Sequence, residues 1–133
     1  MSNFLKLLSL FALLAQGGCG AAPVSGGTKG RLQAGNDGLG DVQVTVHQED
    51  AGKWQPVGFG VTDFDGRFQL VQNGAKGPLW LSPGEYRCTL QSAGTPVAIP
   101  EVFGRPETTP LQATVKGKDD VLEFKTLEFP IQK

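Results

Sequence analysis

The chain has 133 residues, with 12 Lys and Arg against 13 Asp and Glu, one His and two Cys. Near-neutral charge without a basic stripe excludes the electrostatic footprint of a nucleic-acid binder. Two cysteines are too few for the multi-bridge framework of a small disulfide-stapled secreted domain, so a core must hold the fold together.

Residues 1–18 read as a signal peptide. Lys6 supplies the positive charge, residues 7–15 (LLSLFALLA) form the apolar run, and small residues follow. Nine residues are too few for a helix that spans a bilayer, which takes roughly 20. Two processing sites compete. Gly17-Gly18-Cys19 resembles a bacterial lipobox, with Gln16 where that pattern prefers an aliphatic residue, and it makes Cys19 the site of lipid attachment. The rival is an ordinary cut after Gly20-Ala21-Ala22, which places Pro23 directly after the scissile bond. Residues 19–28, rich in Gly, Ala, Pro and Ser, read as a flexible tether. With Lys6 removed, 11 basic residues face 13 acidic ones, so the lipid rather than charge is the expected link to a membrane.

Residues 29–133 read as one all-β domain. A first short strand surrounds Arg31-Leu32-Gln33 and ends at the turn Asn36-Asp37-Gly38. Val42, Val44 and Val46 then alternate with Gln43, Thr45 and His47. Further strands are expected over 57–62 and 67–71, separated by Asp63-Phe64-Asp65-Gly66. After Ser82-Pro83-Gly84, Tyr86, Cys88 and Leu90 alternate with Arg87, Thr89 and Gln91 over 85–91. Two last strands are expected over 111–115 and 121–128, with Leu122 and Phe124 on the inner face. A period of two with one apolar face marks half-wetted antiparallel sheets, and Gly and Asx residues supply the turns. About seven such strands favour two packed sheets over a single open one.

The run from Thr62 to Phe68 (TDFDGRF), followed by Pro83-Gly84-Glu85-Tyr86, resembles the paired motifs of carboxypeptidase regulatory-like domains. Gly30-Arg31-Leu32 and residues 38–46 (GLGDVQVTV) are similar to the opening strand, turn and second strand of that family. Ile99-Pro100-Glu101, Phe103 and the segment 106–111 (PETTPL) resemble the tail of small lipoproteins abundant in planctomycete bacteria. The resemblance covers nearly the whole mature chain. It implies a seven-stranded, transthyretin-like sandwich and no established activity; the antiparallel pairing is read from the strand pattern, and no cofactor is expected because the sequence offers no ligand set for one.

Each residue with chemical potential has a structural reading beside a functional one. Asp63 and Asp65 do not fit a calcium loop, because Val61 and Gln72 would occupy its first and last ligand positions. The expected role is an Asx turn with Gly66 left-handed. His47, the only histidine, reads as a solvated strand residue with Glu49 and Asp50 nearby. Cys88 reads as a core residue rather than a reactive thiol. The hydroxyisourate hydrolases of the transthyretin-like fold use several histidines, and intradiol dioxygenases use two Tyr and two His. Against these stand His47 and Tyr86 alone, so no enzyme is expected. Trp80 is expected to seal a sandwich edge and Phe103 to cap one end. Trp54, placed in a long hairpin loop, is the candidate ligand-binding residue. These features lead to a non-catalytic envelope lipoprotein domain with a structural or protein-interaction role, its partner an envelope protein or a glycan. The alternative is a carbohydrate-binding module that uses Trp54.

Overall fold

The structure is a computed structural model that describes residues 26–94 and 96–126. The signal-peptide reading, Cys19, most of the tether and the last residues of the expected 121–128 strand lie outside the described residues. Within them the chain is all-β, with nine strands in two sheets that enclose one core.

The larger sheet contains β3 (Val42–Asp50), β4 (Lys53–Val61), β6 (Val71–Gln72), β7 (Gly84–Ser92) and β8 (Gln112–Val115), in the order β6-β4-β3-β7-β8, all antiparallel. Its inner face carries the expected alternation: Val42, Val44, Val46, Tyr86, Cys88 and Leu90 are all buried. The smaller sheet is built around β1 (Lys29–Ala34). One edge of β1 pairs antiparallel with β5 (Arg67–Gln69) and then β2 (Asp37–Gly38), while the other edge pairs parallel with β9 (Leu122–Thr126). Leu32, Phe68, Leu122 and Phe124 face inward from this sheet and meet the valines of the larger one. Full burial of each such side chain contributes about 1.5–3 kcal/mol.

The strand count exceeds the expected seven for two local reasons. Asp37–Gly38 adds a short strand where only a turn was expected. The run 67–71 divides at Leu70, whose amide bonds to Thr28 O and whose carbonyl accepts from the Leu79 amide, so β5 and β6 belong to different sheets. Thr28, which the sequence reading assigns to the tether, is buried here. Its amide donates to Leu79 O, and its hydroxyl accepts from the Leu81 amide at 2.9 Å.

The hairpin between β3 and β4 is tighter than expected. Ala51 and Gly52 both have positive φ (53° and 80°), the geometry of a two-residue turn that follows the right-handed twist of its strands. The ladder therefore runs to its end, with Glu49 opposite Trp54 and Asp50 opposite Lys53. Trp54 stands on a strand, not in a loop.

Candidate functional site

The Asp63–Gly66 turn is held by its own carboxylate. Asp63 Oδ1 accepts from the amides of Asp65 at 2.9 Å and Arg67 at 3.0 Å, and Gly66 takes φ +81°. These bonds are those of an Asx turn. Among the described residues, no three His, Cys, Asp or Glu side chains come together in a group that could hold a metal ion. Phe64, at the tip of the turn, is 86% exposed.

Cys88, Tyr86 and His47 are engaged in the fold. Cys88 is fully buried, and desolvation pushes its thiol up to about 12, so it stays protonated at neutral pH. Tyr86 donates its hydroxyl to Ser82 O at 2.6 Å, and burial raises its pKa although that bond opposes the shift. His47 departs from expectation. It is buried, and its Nε2 shares a 2.9 Å hydrogen bond with Thr89 Oγ1. Its Nδ1 is buried without a partner among the described residues. Desolvation lowers the His47 pKa, partly offset by Glu107. The cause is tertiary: the segment after the 3-10 turn Glu101–Gly104 returns along β7. There Arg87 Nη1 donates to Pro106 O at 2.9 Å and Thr109 Oγ1 donates to Cys88 O at 2.7 Å. Phe103 is buried against the core from that turn, consistent with a cap.

Open grooves among the described residues include two that gather charged side chains. The first, of about 540 Å³, lies on the outer face of the larger sheet and is lined by Gln48, Glu49, Trp54, Glu85, Arg87 and Gln112, among others. Trp54 is half-buried, and the Arg87 guanidinium carbon sits 4.4 Å from its ring centroid. That cation–π contact already occupies one face of the indole. Tyr86 also borders the groove, yet it is buried and its hydroxyl is spent on Ser82. Trp54 is therefore the one aromatic offered here for stacking.

The second groove, of about 740 Å³, lies along the smaller sheet and includes Lys29, Arg31, Arg67, Asp63 and Glu123. Arg31 is in register with Arg67 on β5 and with Glu123 on β9. Arg31 Nε is buried without an acceptor among the described residues. The sequence reading does not single out this pair. Its signal was present only as two outward-facing arginines on separate strands.

Trp80, expected to seal an edge, is 44% exposed, and Lys118 Nζ lies 5.1 Å from its ring centroid. Its neighbours do the sealing: Leu81 is buried in the core and Leu79 packs against it. Comparison of the chain with protein-family models, curated proteins and solved structures returns no match.

Proposed function

We propose that this chain is a non-catalytic, exported lipoprotein domain, anchored to a membrane through Cys19 and serving a structural or protein-interaction role in the cell envelope. The observation that carries the non-catalytic half is the commitment of the reactive side chains. Cys88 fills the core, His47 is bonded to Thr89, Tyr86 is bonded to Ser82, and Asp63 closes a turn. A catalytic base or nucleophile needs a group free to reach a substrate, whereas Cys88, His47 and Tyr86 are buried and Asp63 Oδ1 is taken by two amides of its own turn. The export half rests on the leader and on Gly17-Gly18-Cys19. The order of the motifs around Asp63-Phe64-Asp65-Gly66 and Pro83-Gly84 supports a carboxypeptidase regulatory-like, transthyretin-like sandwich within this reading. The polar groove beside Trp54 supports the second reading, a glycan-binding face, with Glu49, Glu85 and Gln112 as hydrogen-bonding groups.

Mass spectrometry of the mature N-terminus tests the anchor. Lipid on Cys19, with Cys19→Ser moving the protein to the soluble fraction, is the expected result. An unmodified terminus at Pro23 overturns it. A crosslinked pull-down from the envelope of wild type and Trp54→Ala then separates the two roles. A protein partner retained by both variants supports the first, and a glycan lost with Trp54 supports the second.

A further inference from the structure

The described chain begins at one rim of the sandwich and is locked there. The Gly26 amide donates to Gln69 Oε1 at 3.2 Å, and the Thr28 amide donates to Leu79 O at 2.8 Å. The Leu81 amide donates to Thr28 Oγ1 at 2.9 Å. The point where the chain enters is thus bonded to the 79–81 stretch. Along that stretch Leu79 and Leu81 pack into the core, so Trp80 points outward. Gly26 lies against the indole, with a side chain's first carbon at Gly26 falling 3.9 Å from Trp80 Cζ2.

The rest of the rim has the same mixed character. Asp120 Oδ2 accepts from the amides of Lys116 and Gly117, which shapes the loop that carries Lys118 to the Trp80 ring. Val121 follows, 52% exposed, one residue before the β9 position that pairs with Gly30. Lys29, also exposed, sits at the same level on β1. An outward indole, an exposed valine and lysines with long apolar stems suit a layer that is apolar on one side and anionic on the other. Indoles settle at the level of lipid headgroups, and lysines lay their methylenes along apolar surface while reaching phosphate with the ammonium.

Chain length makes the contact reachable. Seven residue steps separate Cys19 from Gly26. Fully extended, they span at most about 25 Å. An acyl group on Cys19 therefore holds this rim close to the membrane surface, at an effective concentration where a weak contact is populated without new affinity. We infer that the rim formed by Trp80, Lys118, Lys29 and Val121 docks on the phospholipid headgroup layer of the membrane to which Cys19 is anchored, with Trp80 as the inserted side chain. The inference rests on the lipoprotein reading.

The test uses the full lipidated chain in vesicles of phosphatidylethanolamine and phosphatidylglycerol. The sequence has two tryptophans, so Trp54→Phe leaves Trp80 as the reporter. Brominated acyl chains are expected to quench Trp80 emission at least twofold, and Lys118→Glu in that background to reverse at least half of the quenching. In the reciprocal Trp80→Phe variant, Trp54 under its Arg87 cover is expected to remain unquenched. Wild type, with both indoles, is expected to lose only a fraction of its emission, which guards against a variant that folds poorly. Mass spectrometry of the same sample separates the two ideas. Lipid on Cys19 with unquenched Trp80 overturns the docking and leaves the anchor standing, whereas no lipid on Cys19 overturns both. Equal quenching of Trp54 and Trp80 overturns the assignment to this rim.

Discussion

β3, β4 and β7 of the larger sheet each run nine residues, whereas no strand of the smaller sheet exceeds six. The long strands cohere through side chains: Val44 and Val46 of β3 stand opposite Leu90 and Cys88 of β7 and, with Val42, bury one continuous apolar face. The short strands add tight backbone contacts at the turn that joins them. A Cβ at Gly66 would lie 2.1 Å from Leu32 O, and one at Gly38 would lie 2.0 Å from Asp65 O. The Leu32 amide donates to Gly66 O at 2.7 Å across the same contact. A charge placed on the inner face of β7 should therefore damage the larger sheet most, and added volume at Gly66 or Gly38 should damage the smaller one.

Cys88→Asp is the harshest way to break the side-chain half of that contrast. An unpaired carboxylate in the core costs several kcal/mol against a total stability of about 5–15 kcal/mol. The variant is expected to lose its cooperative urea transition by far-ultraviolet circular dichroism. In the wild type, Cys88 should resist thiol reagents until denaturant is added. Rapid native labelling would mean that β7 is shifted by one residue, which turns its inner face outward.

Gly66→Ala probes the backbone half. Its φ of +81° and the close approach to Leu32 O act together, and a loss of about 2–4 kcal/mol is expected. On dihedral grounds alone Gly66→Val should be clearly worse than Gly66→Ala. The contact with Leu32 O narrows that gap, because the first carbon already collides. Hydrogen exchange should show the amides of Leu32 and Leu39 deprotected while those of β3 stay protected. Uniform deprotection of both sheets would show that the two are one cooperative unit and remove the contrast.

The smallest effect is the pH response of His47, a polar residue buried on the outer face of the larger sheet. Desolvation sets its folded pKa below the ordinary 6.5, with Glu107 pulling the other way. Between those two values the unfolded chain binds more protons, so stability falls with decreasing pH. Stability is complete above pH 6.5 and is lost as pH falls toward the folded pKa, with no further loss from this group below it. Thermal midpoints from pH 8 to pH 5 should show a decline in wild type that His47→Gln lacks. Identical profiles would mean that His47 is as solvated as its place in the alternation suggests.

The sequence by itself determined the inner faces of the main strands and the Asx turn at Asp63. Val42, Val44, Val46, Tyr86, Cys88, Leu90, Leu122 and Phe124 were legible because a strand's period of two is written in adjacent residues. The Asx turn at Asp63 was legible because its partners, Asp65 and Arg67, lie within four positions. Only the tertiary structure decided what covers those elements and which strands meet. The segment around Pro106 and Glu107 returns over β7 to bury His47 and to fix Arg87, which covers Trp54. β9 pairs in parallel with β1 from the far end of the described chain, and Arg31 meets Arg67 across β1 and β5. Dihedral preference and period act between neighbours, whereas such contacts join residues tens of positions apart. Those are chosen by the burial of the whole core, which no local window of sequence contains.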